Sequence, residues 1–197
     1  MRKVIAAIAV FFLAGVVFSN CNEVVKKEER MVRRGEYLVN AIGCDDCHSP
    51  KKVGPHGPEV DMELRFSGYP ASRPLAGFDT TTARSWALFS QDLTACVGPW
   101  GISFSGNITS DATGIGNWTE AQFIKCLRQG KWKGLDSARP LMPPMPWQNF
   151  SKLTDEDLRS IYHYLKTTKP VKNTAPAWIP PGAKPAGKQM AMLSIKN

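Results

Sequence analysis

Apolar side chains recur at helical spacing in three stretches of this 197-residue chain and predict three helices. The first helix is predicted over residues 34–47, the second over 119–130 and the third over 154–166. Thr119 and Thr154 each stand where a side-chain oxygen can accept the backbone N–H three residues later, which is typical of a helix start. The pattern therefore predicts an all-α fold.

The rest of the sequence is irregular. A long stretch rich in Gly, Pro and Ser separates the first two predicted helices, and residues 82–91 are predicted to form a short extra helix within it. Beyond Pro170 the chain carries further prolines, so the tail over 170–197 either wraps the surface or is disordered. One core domain over 34–169 remains, of ordinary length for a single domain.

The N-terminus has the pattern of an export signal. Arg2 and Lys3 precede an apolar run of about fifteen residues, and polar residues begin at Ser19. A helix needs about twenty apolar residues to cross a bilayer, so a cleaved signal peptide over 1–20 is favoured over a transmembrane helix. The protein is therefore expected outside the cytoplasm, in the periplasm or in another extracytoplasmic location.

Cys21 follows the apolar run in a context that resembles a bacterial lipoprotein signal, in which the cysteine is acylated and becomes the first mature residue. The alternatives are an ordinary cleaved signal and an uncleaved anchor. The charged residues over 21–33 are expected to form either a solvated linker between a lipid anchor and the folded domain, or the frayed first turn of a helix. A lipid anchor at Cys21 would attach the protein to a membrane.

The charge of the chain excludes one class of partner. The net charge is +8, and it falls to +6 when the signal removes two basic residues and no acidic one. The basic residues are not interleaved with aromatic ones, and the sequence has no phosphate-binding loop or nucleic-acid motif. Nucleic acid is therefore not expected as a partner.

Cys44-Asp45-Asp46-Cys47-His48 is the most informative motif of the chain. Two cysteines three residues apart, with a histidine directly behind them, form the attachment site of a covalently bound haem. On one turn of helix both thiols lie on the same side, where they can reach two vinyl groups, and His48 can bind the iron. A thioredoxin-like redox pair and half of a zinc site are the alternatives, but no βαβ pattern and no second metal-ligand pair accompany the motif. One covalent haem c is therefore predicted.

Met145 is the predicted second axial ligand of the iron. Prolines on both sides fix the backbone of this loop, so that a thioether can be presented without a helix. A thioether stabilises ferrous iron and raises the reduction potential. The alternatives are Met142, or a second histidine, either His56 or His163. Methionines in less constrained sequence are Met62, Met190 and Met192.

With these features the chain resembles a class I cytochrome c, close to the single-haem modules of cytochromes that serve bacterial membrane dehydrogenases. The resemblance covers residues 35–166 and implies the class I cytochrome c fold around one haem, with Met145 as the distal ligand. The motifs that carry it are Gly35-Glu36-Tyr37-Leu38, Asn107-Ile108-Thr109, Gly114 to Thr119, Pro144-Met145-Pro146 and Ile161 to Lys166. The chain departs from the family in a long, loop-rich insertion over residues 49–106.

The resemblance implies an electron carrier rather than an enzyme. Such a protein needs no small-molecule substrate, because it passes single electrons between redox partner proteins, here a dehydrogenase or quinol-oxidising complex and an acceptor. A fixed cytochrome subunit of a membrane oxidoreductase complex is the first alternative. A haem peroxidase or gas sensor is the second, and either would need an open iron position.

Three tryptophans and two cysteines each have two interpretations. Trp118, Trp132 and Trp147 either line the haem pocket, where an indole N–H can donate to a propionate, or pack in the core. Cys96 and Cys126 either form a disulfide in an oxidising compartment or are buried thiols. For the cysteines, the second interpretation is favoured.

Overall fold

The computed structural model describes residue 23 and residues 25–183 of the chain. The predicted signal peptide over 1–20, Cys21, and the end of the chain with Met190 and Met192 lie outside the described residues. Within the described residues, no helix combines the length and the hydrophobicity needed to cross a membrane.

The first predicted helix is in fact two helices. Helix α1 covers residues 25–41, and helix α2 covers Cys44–His48. Gly43 lies between them with a φ of 74°, in the left-handed region that glycine adopts without strain. Helix α1 begins within the charged stretch over 21–33, so residues 25–33 are helical, and most of them are exposed.

The second and third predicted helices are confirmed. Helix α3 covers Glu120–Gln129, and its N-cap Thr119 forms a reciprocal capping box. Helix α5 covers Asp155–Thr167, and the hydroxyl of its N-cap Thr154 accepts a backbone N–H of the first turn. A short helix α4, Trp147–Phe150, precedes α5.

All five strands found in the described residues lie in the insertion. Strands β1 (Lys51–Gly54) and β2 (Gly57–Val60) form an antiparallel hairpin. Strands β3 (Leu88–Phe89), β4 (Ala95–Gly98) and β5 (Gly101–Phe104) form a separate three-stranded antiparallel sheet in that order. The predicted all-α fold is therefore confirmed only in part, because the described part of the chain has two small sheets beside its five helices.

The sequence did not predict these strands, because their alternation of polar and apolar residues is weak. Each strand has at most four residues, and β4 and β5 are buried at every position, so polar and apolar residues do not alternate. The predicted extra helix over residues 82–91 is wrong. It contains only the single 3₁₀ turn Thr82–Arg84, after which the chain enters β3.

Two hydrophobic cores hold the described residues together. The main core lies between α1, α3 and α5, and the second core lies between the three-stranded sheet, the preceding loop and the tail. Buried side chains of the main core include Leu38, Val39, Phe123, Leu158 and Leu165. Those of the second core include Tyr69, Ala95, Val97, Ile102 and Ile179.

Helices α1 and α5 cross in direct backbone contact at Gly35. A Cβ atom at this position would lie 1.9 Å from the carbonyl oxygen of Ser160 in α5, far inside van der Waals contact. Glycine at this position therefore lets the backbones of α1 and α5 approach more closely than any other residue would. The crossing fixes α1 against α5, and α2 follows α1 directly after Gly43.

The described part of the tail wraps the surface of the molecule. Asn173 donates from Nδ2 to the carbonyl oxygens of Ser67 and Tyr69, at 2.7 and 2.9 Å. Ile179 pairs with Ile102 at the edge of β5. Of the two alternatives for the tail, surface wrapping is thus the one seen up to residue 183.

Candidate haem-attachment site

Helix α2 consists of the cysteine motif itself, Cys44–His48. Cys44 and Cys47 are three residues apart on this single turn, so both lie on the same side of it. Cys44 is half-buried against the main core, and His48 is the last residue of the helix. The structure thus brings the three predicted attachment residues together on one short helix.

The ring of His48 is held by one hydrogen bond. Its Nδ1 lies 2.8 Å from the carbonyl oxygen of Gly106, at the end of the insertion. A carbonyl oxygen only accepts, so Nδ1 carries the ring proton and Nε2 keeps an unprotonated lone pair. Burial lowers the pKa of His48, which keeps the ring neutral. A neutral imidazole with one nitrogen held and the other unprotonated is the form that binds a metal ion.

Arg65 fixes the orientation of α2. Its guanidinium donates from Nε and Nη2 to the two carboxylate oxygens of Asp45, at 3.0 and 2.6 Å. The same guanidinium donates to the side chain of Asn40 in α1 and lies 3.4 Å from the hydroxyl of Tyr164 in α5. A two-point pair between arginine and a carboxylate is specific in geometry. One arginine of the insertion therefore ties α2 to α1 and α5.

The surroundings of the two thiols argue against redox catalysis by the cysteines. Burial, helped by the charges of Asp45 and Asp46, raises the pKa of Cys44 to about 12. Burial also raises the pKa of Cys47. Disulfide oxidoreductases instead lower the pKa of the attacking thiol, because the thiolate is the nucleophile. The thioredoxin-like alternative therefore has no support in the site.

The zinc alternative lacks a donor set as well. Zinc is held by four ligands in structural sites and by three in catalytic ones. Among residues 25–183, no three or more His, Cys, Asp or Glu side chains are grouped so that they could hold a metal ion.

Met145 lies half-buried at the edge of the main core, which Cys44 also borders. Its carbonyl accepts the N–H of Trp147 at 2.9 Å, which joins the loop to α4. From the insertion, the hydroxyl of Ser103 donates to the carbonyl of Pro143 at 2.5 Å. The loop that carries Met145 is therefore fixed between α4 and the three-stranded sheet.

His56, Met62 and His163 are less suitably placed than Met145. His56 is exposed in the turn between β1 and β2, and Met62 is 60% exposed. Nε2 of His163 lies 3.2 Å from a carboxylate oxygen of Glu120, so this ring bridges α5 and α3. Met142 shares the loop of the predicted ligand and is also half-buried.

The three tryptophans have different surroundings. Trp118 packs against the main core. Trp147 covers Gly130 at the end of α3, where a Cβ atom would lie 2.4 Å from the indole ring. The ring of Trp132 would lie 3.6 Å from a Cβ atom at Gly106, the residue whose carbonyl accepts a hydrogen bond from His48. Trp132 is therefore close to a residue that positions the ring of His48.

Cys96 and Cys126 are two separate thiols, the first in β4 and the second in α3. Both are buried, and burial raises the pKa of each to about 11. The buried-thiol interpretation is confirmed, and no disulfide joins them.

Sequence reasoning missed three residues that position the site: Arg65, Gly106 and Ser103. Gly106 acts through its carbonyl, which every residue has, so no side-chain pattern marks it. Arg65 did offer a signal, because it stands between the apolar residues Leu64 and Phe66. A charge in such a position is half-buried and needs a carboxylate partner.

The donor groups of the site fit a covalently attached haem. Two thiols on one helical turn suit two thioether bonds, and the neutral ring of His48 suits one axial position. A thioether on a fixed loop suits the other axial position, and Met145 offers it.

Comparison with known proteins finds cytochrome subunits. The chain is 33% identical over 147 residues to the fructose dehydrogenase cytochrome subunit of Gluconobacter japonicus, a match that covers 74% of this chain and 23% of the relative. It is 30% identical over 137 residues to the gluconate 2-dehydrogenase cytochrome c subunit of Pantoea cypripedii, covering 69% of this chain and 23% of the relative. It is 29% identical over 153 residues to the alcohol dehydrogenase (quinone) cytochrome c subunit of Gluconobacter oxydans, covering 76% of this chain and 24% of the relative. No protein-family model matches the chain.

The chain is therefore a relative of the c-type cytochromes, and the resemblance seen in its motifs is confirmed. More narrowly, it is homologous to the cytochrome subunits of fructose, gluconate and alcohol dehydrogenases. The chain spans about a quarter of the length of the curated relatives that it matches.

Proposed function

We propose that the protein is an electron carrier with one covalently attached haem c. The observation that carries this proposal is the ring of His48, which ends the motif helix, is held at Nδ1 by the Gly106 carbonyl and keeps Nε2 unprotonated. An axial ligand of haem needs this arrangement. The relatives support the cofactor, because they are cytochrome c subunits. Haem c supplies a one-electron centre when it is bound.

Each residue of the site has a distinct role in this proposal. Cys44 and Cys47 would attach the haem, and His48 and Met145 would bind its iron. The main core, which both Cys44 and Met145 border, would give the haem an apolar surrounding. An apolar surrounding and a thioether ligand both favour ferrous iron, so this chain would raise the reduction potential of the haem.

The carrier would pass single electrons from a dehydrogenase or quinol-oxidising complex to an acceptor protein. The protein could instead be a fixed subunit of an oxidoreductase complex. One observation favours this second role: the relatives are cytochrome subunits of dehydrogenases. The roles of the site residues are the same in both settings.

Carbon monoxide separates a carrier from a haem peroxidase or gas sensor. Because both axial positions are filled in the proposed carrier, the reduced wild-type protein should bind carbon monoxide poorly and show no peroxidase turnover beyond that of free haem. Visible spectra of the reduced protein with and without the gas measure the first effect. The Met145→Ala variant, which lacks one axial ligand, is the positive control. Ready binding by the wild type would reject the carrier in favour of a sensor or enzyme.

The protein is also proposed to be periplasmic and held at a membrane by acylation of Cys21, on the evidence of the sequence pattern before that residue. Cys21→Ser should then move the protein from the membrane fraction to the soluble fraction, because acyl chains supply about 0.8 kcal/mol per buried CH₂. Immunoblots of fractionated cells measure this, with Asn22→Ser as the matched control. Unchanged membrane association of Cys21→Ser would indicate an uncleaved helix or a protein partner instead.

A further inference from the structure

The guanidinium of Arg139 is stacked on aromatic rings. It lies over the indole of Trp132, 4.3 Å from the ring centroid, and 6.0 Å from that of Trp178. The backbone holds this stack, because the N–H of Trp132 donates to the carbonyl of Arg139 at 3.0 Å and the neighbouring Lys131 and Pro140 form an antiparallel bridge. Arg139 is half-buried, and burial lowers its pKa. The arginine is therefore built into the fold rather than free in solvent.

Arg139 differs from the other half-buried arginines in lacking an acidic partner. Within residues 25–183, each of the other three half-buried arginines forms an ion pair with an aspartate, and Arg65 does so with Asp45. The other two pairs are Arg73 with Asp92 and Arg128 with Asp155. Arg139 makes one side-chain hydrogen bond there, from Nη1 to the carbonyl of Pro140 at 2.9 Å. A guanidinium has five N–H donors, and a half-buried charge is costly without a counter-ion.

The stack adjoins the attachment site. A Cβ atom at Gly106 would lie 3.6 Å from the ring of Trp132, and the carbonyl of Gly106 holds His48. The loop that carries Met145 follows Arg139 directly in the chain. An anion at this place would therefore also be close to the residues that hold the cofactor.

We propose that Arg139 binds a carboxylate of the attached haem, one of its two propionates, with Trp132 as the platform that orients the guanidinium. The proposal rests on the proposed function, since it assigns a partner group on the same cofactor. Arginine suits this role because its planar fork matches the two oxygens of a carboxylate, and because it stacks on indole rings.

The proposal predicts a change in the reduction potential. A guanidinium that neutralises a propionate removes a negative charge from beside the iron. Arg139→Gln leaves that charge uncompensated, which favours ferric iron, so the potential should shift downward. Arg139→Lys keeps the charge without the fork and the stack, and its potential should lie between those of Arg139→Gln and the wild type.

The test compares these variants with Arg84→Gln, which removes an exposed positive charge from the insertion. Potentiometric titration measures the potential of each purified protein, and resonance Raman spectra report the propionate-bending modes, which should shift in Arg139→Gln and stay unchanged in Arg84→Gln. A potential of Arg139→Gln equal to that of the wild type, with unchanged propionate modes, would overturn the proposal. The same result is expected if Arg139 binds a carboxylate of a partner protein instead. Failure of the proposed function is a separate result, because wild-type protein would then carry no gel-stable haem.

Discussion

Met145→Ala should lower the reduction potential of the protein and open its iron to carbon monoxide. The thioether is a soft ligand that stabilises ferrous iron, so its loss favours the ferric state. Axial ligands set haem potentials over roughly 0.8 V, and a loss of about 0.2 V equals about three powers of ten in the ferrous-to-ferric ratio. The sulfur-to-iron charge-transfer band of the oxidised protein should disappear with it. Potentiometric titration and visible spectra measure both effects.

Met142→Ala is the matched control, because this residue lies in the same loop and is also half-buried. It should leave the potential and the charge-transfer band as they are in the wild type. Met145→His should keep the iron six-coordinate and still lower the potential, because imidazole is a harder ligand than a thioether. If Met142→Ala removed the band and Met145→Ala did not, the axial ligand would be Met142.

Replacing both Cys44 and Cys47 with alanine should abolish the haem that survives denaturing electrophoresis. Thioether bonds are covalent and persist in denaturant, whereas the bond from His48 to iron does not. Haem staining of the gel beside a protein stain measures the effect, which should be complete in the double variant and partial in each single one.

Cys96→Ala is the control for the cysteine variants, since it removes a buried thiol of β4 that has no place in the attachment motif. Its gel-stable haem should equal that of the wild type per unit of protein. Haem that stays on the double Cys44 and Cys47 variant would contradict covalent attachment through this motif.

Helices α3 and α5 were predictable because short-range features determine them. Thr119 and Thr154 cap the first turns through their own hydroxyl groups, and the apolar positions that follow recur at helical spacing. The break between α1 and α2 was harder to predict. Apolar periodicity runs across it, and only the left-handed conformation of Gly43 interrupts the helix.

The grouping of Cys44, Cys47 and His48 could be predicted because these residues are close in sequence, so one helical turn brings them together. The residues that position the motif could not. Gly106 holds the ring of His48 from the far end of a long insertion, and Arg65 reaches Asp45 from the middle of it. Such contacts depend on how the insertion folds back, and two of its short strands, β4 and β5, are fully buried and leave no periodic pattern.

The hydrogen bond from Ser103 to Pro143 would affect the rate of electron transfer. It braces the loop of Met145 against β5, and β5 is itself paired with Ile179 of the tail. In an electron carrier, atoms that shift between the two oxidation states slow the transfer, and a preorganised surrounding reduces that reorganisation. The three-stranded sheet would thus hold the proposed axial ligand Met145 in place, so that electrons are exchanged rapidly even when the driving force is small.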